Sequence, residues 1–205
     1  MVRGALFALV LAGGLVSEAG AQTTGTPVFL APYRAFRSSE LGGFFSDPGN
    51  GFTLEAMYRA GKGSSDVGFR AGVGDNDVAT PGGPSSTYFL AGIDFRQRIV
   101  RASEGFPLDG ALTLGVGGIF GDNITTGLLP FGLTLGRRVE LEGTRTSFVP
   151  YFHPVLVPTF GDGQDDIQFG IGLGVDIQFS PRLDARVAAG LGDFDGISLG
   201  VSFTR

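Results

Sequence analysis

Between residues 166 and 179 apolar and polar side chains alternate without a break. Ile167, Phe169, Ile171, Leu173, Val175, Ile177 and Phe179 fall on one side, and Asp166, Gln168, Gly170, Gly172, Gly174, Asp176 and Gln178 on the other. An extended strand puts successive residues on opposite faces, so this segment belongs in a sheet with two chemically different sides. The pattern returns at 51–61, 66–74, 183–191 and 197–203. In 51–61, for example, Phe52, Leu54, Ala56, Tyr58 and Ala60 oppose Thr53, Glu55, Met57 and Arg59. No helical stripe of comparable length competes, which excludes the helical fold classes.

Noisier alternation covers 86–100, 110–121, 126–140 and 148–159, giving nine strands from Gly51 onward. Segment 39–46 supplies a tenth, joined to the next strand by the turn Asp47-Pro48-Gly49-Asn50. The even count suits a barrel whose two ends lie on one side of a membrane. The expected fold is all-β, an antiparallel up-and-down transmembrane β-barrel of about ten strands, or eight if the weakest segments are loops. Segment 148–159 is the irregular one. Pro150, Pro154 and Pro158 each remove a ladder donor, so its faces and the orientation of His153 stay open.

Composition excludes other classes. The 205 residues include 36 glycines without a collagen repeat, and 42% hydrophobics with a net charge of −5 are too apolar for a disordered chain. The acidic balance argues against a nucleic-acid partner. With no cysteine there is neither a disulfide framework nor a thiol nucleophile, and one histidine leaves little for a catalytic dyad or a metal site.

Residues 1–21 have the layout of a secretory signal peptide. Arg3 gives the charged start, Ala5 to Val16 the apolar stretch, and Ala19-Gly20-Ala21 a small-residue cleavage site before Gln22. No later stretch is long and apolar enough for a membrane-spanning helix. Residues 22–38 carry Pro27 and Pro32 and no full alternating run. They read as a periplasmic lead-in, with a partial plug folded into the lumen as the alternative. The barrel itself is assigned to 39–205.

Alternation alone does not say which face is wet. The polar face carries glycines and charges of both signs: Glu55, Arg59, Arg70, Asp94, Arg96, Arg98, Asp176, Asp184 and Arg186. A soluble exterior would be richer in lysine, whereas this chain has only Lys62. Opposite charges facing one another across a narrow lumen can pair, so these nine are expected inside, with Arg96 paired to an acid of its own face. Near the C-terminus Asp195, Gly196, Leu199, Val201 and Phe203 follow a polar-Gly-apolar pattern similar to the assembly signal of outer-membrane barrels.

Together these features resemble the small outer-membrane β-barrel families of Gram-negative bacteria, the OmpX/OmpA membrane-domain type. The resemblance covers roughly residues 39–205, and departs in continuing past Phe203 to Thr204-Arg205. It implies an outer-membrane location, a structural or envelope role with a narrow pore, and as partners membrane lipid, lipopolysaccharide and the barrel assembly machinery. A small passive channel and a soluble periplasmic ligand-binding barrel are the alternatives.

No enzyme is expected. Barrels that act as deacylases or proteases pair a histidine with Ser or Asp, but His153 sits within Phe152-His153-Pro154, far along its strand from Asp165 and Asp166. The runs Gly115-Val116-Gly117-Gly118 and Gly170–Gly174 lack the helix of a phosphate loop and read as packing features of a small barrel.

Counting strands back from the C-terminus puts the connections 46–50, 74–86, 121–125, 160–166 and 192–196 at one end. They carry Asp47, Asp75, Asp77, Asp122, Asp162, Asp165, Asp166, Asp193 and Asp195, and no Lys or Arg. Turn chemistry favours aspartate at such places. The alternative is a weak Ca²⁺ or Mg²⁺ site on Asp162, Asp165, Asp166, Asp193 and Asp195 that bridges to lipopolysaccharide phosphates. No other cofactor is expected.

Overall fold

The computed structural model describes residues 22–32, 36, 38–49, 51–76, 86–103, 105–122, 124–161 and 165–205, so the expected signal peptide lies outside it. The strands are β1 (Ser39–Asp47), β2 (Gly51–Lys62), β3 (Ser65–Asn76), β4 (Ser86–Val100), β5 (Asp109–Gly121), β6 (Ile124–Leu128), β7 (Phe131–Gly136), β8 (Val139–Glu140), β9 (Ser147–Gly161), β10 (Asp166–Gln178), β11 (Leu183–Gly192) and β12 (Gly196–Thr204). Each pairs antiparallel with its neighbours, β12 returns to β1, and β9 meets β10. The sheet therefore closes and leaves no open edge. The short pieces β6, β7 and β8 form one stave, because Gly117↔Leu128 and Leu114↔Phe131 on β5 keep a single register across the break. Ten staves result, at every place where alternation predicts a strand.

The prolines of β9 account for the broken stave. In an antiparallel strand, residues of like parity direct N–H and C=O toward the same neighbour. Leu129 N donates to Pro158 O at 3.0 Å and Arg137 N to Pro150 O at 3.2 Å, so these prolines face the β6–β8 stave. Registers Phe131↔Leu156 and Leu135↔Phe152 place Pro154 opposite Leu133 on the same side. Three donors are thus missing along one seam, and the interruptions at 129–130 and 137–138 lie opposite Pro158 and Pro150. The prolines themselves point outward, while Val149, Tyr151, His153, Val155 and Val157 are buried inside. Proline here occupies the interior of a closed sheet, where no edge exists to hold it.

One outward row runs across five strands as Leu41↔Tyr58↔Phe69↔Ile93↔Val116, all exposed. Among the described residues, outward charge within the strands is kept to their ends, as at Asp75 near the end of β3, and Arg137 faces out in the break between β7 and β8. The inward positions hold Arg59, Asp66, Arg96, Asp176, Asp184 and Arg186, each at most 2% exposed. The barrel is apolar outside and charged inside.

Its interior also contains chain. Residues 22–24 form a short 3-10 turn, and Thr23, Thr24, Thr26, Val28, Phe29, Leu30, Ala31 and Phe36 are all buried. Phe29 and Ala31 pack with Val149, Tyr151 and Val155 of β9, whereas Val28 and Leu30 pack with Phe44 and Met57 of β1 and β2. Alternate residues thus reach opposite walls, the behaviour of extended backbone. Of the two placements weighed for residues 22–38, the described residues 23–32 and 36 take the one inside the lumen and not that of a periplasmic lead-in.

Candidate functional site: the lumen and the segment inside it

Five consecutive carbonyls of the inner segment each accept a hydrogen bond from a different wall side chain. Ser198 Oγ donates to Pro27 O at 2.9 Å, Arg70 Nη1 to Val28 O at 3.2 Å, and Tyr151 Oη to Phe29 O at 2.8 Å. Thr134 Oγ1 donates to Leu30 O at 3.1 Å, and Arg96 Nη1 to Ala31 O. Below Pro27 the chain turns through Gly25, at a φ of 71°, and its hydroxyls take over the contacts. Thr24 Oγ1 donates to Glu55 Oε2 at 2.8 Å, Thr26 Oγ1 donates to Glu55 Oε1, and Arg70 Nη2 donates to Thr23 Oγ1 at 2.8 Å. At the other end Phe36 lies against two guanidiniums, with Arg96 Cζ 5.3 Å and Arg98 Cζ 5.2 Å from its ring centre. Cations over an aromatic face attract it electrostatically.

The glycines face this segment. A Cβ at Gly172 would meet the Phe29 ring at 2.2 Å, one at Gly117 the Thr23 carbonyl at 1.6 Å, and one at Gly92 the same carbonyl at 2.5 Å. Others make way for the wall's own rings: Gly174 for Tyr151, Gly132 for His153, and Gly170 and Gly190 for Phe194, which folds in from the 192–196 turn. The runs 115–118 and 170–174 therefore serve close packing against lumen contents, not phosphate.

The charges form two groups. On β2–β4, Asp66 accepts from Arg59 and, in bidentate fashion, from Arg96 Nε and Nη2 at 3.0 and 2.8 Å, while Arg59 also reaches Asp94 at 2.5 Å. Arg70 lies 3.8 Å from Glu55. Across β10–β1, Arg186 pairs with Glu40 and, at 3.2 Å, with its cross-strand neighbour Asp176. Arg59 and Arg96 meet their acids through hydrogen bonds, the geometry that holds a buried pair, whereas Arg186 meets Glu40 and Asp176 as ion pairs without hydrogen-bond geometry. Eight of the nine charges expected inside lie within the lumen, and Asp184 among them is fully buried. Arg98 sits at the rim, bonding Gly63 O at 3.3 Å. Within the first group the partners are Arg96 with Asp66 and Asp94 with Arg59. Glu40 and Asp66, both central to the pairing, were not among the nine. Glu40 lies one residue into β1, where alternation had too little length to show a face.

His153 points inward, its Nε2 3.1 Å from Thr113 Oγ1 and its ring edge-on to Phe29 at 5.6 Å. Its place beneath the segment is a packing position. At the acidic end, Asp162 lies outside the described residues. Asp165, Asp166, Asp193 and Asp195 are exposed, and two of them bond backbone at the start of β10: Asp166 Oδ1 accepts from Ile167 N at 2.7 Å and Asp193 Oδ2 from Phe169 N at 2.8 Å. Among the described residues no three carboxylate or histidine side chains gather to hold an ion.

Two solved structures resemble this fold. The β domain of the Bordetella autotransporter BrkA matches with a TM-score of 0.49 and 15% identity, over 82% of this chain and 98% of that one. A de novo designed transmembrane β-barrel matches with a TM-score of 0.39 and 12% identity, over 82% and 95%. No protein-family model and no curated protein matches the sequence.

Proposed function

We propose that the protein is an integral outer-membrane β-barrel with a structural role in the envelope, its lumen sealed by its own N-terminal segment. The observation that carries this reading is the inversion of polarity. Among the described residues a belt of Leu, Ile, Val and Phe surrounds the barrel, its outward charges kept to the strand ends and to Arg137 in the break between β7 and β8, while Arg59, Asp66, Arg96 and Arg186 are shut inside. In water this arrangement would leave the apolar area exposed and the ions buried. In a bilayer both faces are matched, because backbone polar groups are satisfied around a closed ring and the apolar belt meets lipid. Outside the broken stave of β6–β8, the strands of 9 to 15 residues are long enough to cross when tilted.

Export through the signal peptide at 1–21, insertion by the barrel assembly machinery, and contact with lipopolysaccharide belong to the same reading. The finer likeness to the OmpX/OmpA type rests on Asp195, Gly196, Leu199, Val201 and Phe203. The role is non-enzymatic. The acidic end attracts Ca²⁺ or Mg²⁺ through the summed field of its carboxylates and so toward lipid phosphates. Membrane fractionation tests the reading: the protein should resist carbonate extraction and migrate faster unheated than heated on a denaturing gel. Recovery in the soluble fraction, with no heat-dependent shift, would contradict it. Planar-bilayer recordings separate the sealed barrel, which passes no steady current, from the small passive channel, which does.

A further inference from the structure

We propose that the lumen is a binding site for an extended polypeptide, occupied in cis by residues 23–32 and Phe36 as an exchangeable ligand and not as part of the barrel's framework. Three observations carry it. First, barrel closure does not use the segment: the ten staves complete their ladders with one another, and among the described residues the segment belongs to none of these ladders. Second, the wall holds the segment the way a receptor holds a peptide. Side-chain donors read a run of main-chain carbonyls from Pro27 to Ala31, a mode of recognition that is indifferent to most side chains. Third, selectivity is confined to a few cradles. The Phe29 ring fills the space kept free by Gly172, Thr23 fills that of Gly92 and Gly117, and the Phe36 ring meets the guanidiniums of Arg96 and Arg98. The fitting ligand is therefore an extended peptide with an aromatic residue at each of the two anchor positions and small residues at its tip. The segment joins the wall through the chain that leads into Ser39, so detachment there leaves a peptide held by side-chain contacts alone.

This inference rests on the lumen being sealed by the segment, and not on the membrane reading, since it is tested in detergent. A specific protease sequence is inserted between Ser38 and Ser39 of the chain beginning at Gln22, and the protein is folded before cutting. The probe is a fluorescein-labelled synthetic peptide of residues 22–38, followed by polarisation. The cut protein should take up the probe and release it to unlabelled peptide, and the uncut protein should exclude it. A competitor with alanine at both Phe29 and Phe36 should fail to displace it. Tyr151→Phe, which removes one carbonyl donor at nearly constant volume, should weaken uptake about 3- to 10-fold, the worth of one hydrogen bond. No uptake after cutting, equal uptake by cut and uncut protein, or unchanged affinity in Tyr151→Phe would overturn the proposal. So would loss of the fast-migrating folded form on cutting, since the segment would then be framework.

Discussion

The ring of Phe29 occupies the space that a side chain at position 172 would need: a Cβ on Gly172 would lie 2.2 Å from its Cδ1. The two residues are far apart in sequence, yet each fixes what the other can be. Gly172→Ala should cost about 1–3 kcal/mol through overpacking, and Phe29→Ala about 3–5 kcal/mol through the lost ring. Because the small side chain at 29 makes room for the methyl, the double variant should cost clearly less than the sum. Thermal midpoints of the heat-modifiable band measure all three, and strict additivity would place Phe29 elsewhere.

Asp66 bridges Arg59 and Arg96 with none of the three exposed. Arg96→Ala removes a bidentate partner of a buried carboxylate together with the donor to Ala31, and should destabilise by about 3–5 kcal/mol. The exposed pair Arg138–Glu140, at 3.4 Å and with side chains 43% and 78% exposed, provides the contrast. Arg138→Ala should change stability by about 0–1 kcal/mol. Equal losses in the two variants would mean that Arg96 faces solvent.

Pro154 faces Leu133 on the seam where β9 lacks donors. Pro154→Ala supplies an N–H worth about 0.5–1.5 kcal/mol, against about 0.4–1 kcal/mol lost through a more flexible unfolded chain. In lipid the bare carbonyl has no water to turn to, so the gain should prevail and the midpoint should rise. A lower midpoint would show that the seam depends on proline's fixed backbone angle.

At the acidic end, carboxylates of Asp47, Asp166 and Asp193 accept backbone N–H bonds, Asp47 within its own turn and the other two from Ile167 and Phe169 at the start of β10. A cation held there by field alone should bind weakly and be displaced by added monovalent salt, because exposed charges are screened within about 10 Å at 0.1 M. Calcium titration at two salt concentrations checks this. Binding that survives high salt would require a formed ligand set.

Period-two alternation made the ten staves legible because both faces of most strands differ in chemistry, as on β2 and β10. It failed on β9 for a physical reason. Val149, Val155 and Val157 face inward against Phe29 and Ala31, so this wall is apolar on both sides and the contrast vanishes. The segment itself was unreadable for a related cause. Its hydrogen-bond partners are side chains from β2, β3, β4, β7, β9 and β12, and nothing in its local pattern marks that they meet around it. The charge partners were likewise set by register: Asp66 stands opposite Arg96, and Asp94 stands opposite Gly68, over which Arg59 extends. Glycine content was visible at once, but its meaning depended on which ring each glycine faces.

The inversion of faces is tested most directly by single cysteines, since the chain has none of its own. Cysteine placed at Ile93, Val116 or Leu199, labelled with an environment-sensitive fluorophore and reconstituted in bilayers, should be quenched by lipids brominated along their acyl chains. Cysteine at Ala111 or Ala188, both buried inside, should be protected from that quencher. Quenching of the outward set alone is the predicted result; quenching of the inward set, or of neither, would contradict an apolar-outside barrel in the membrane.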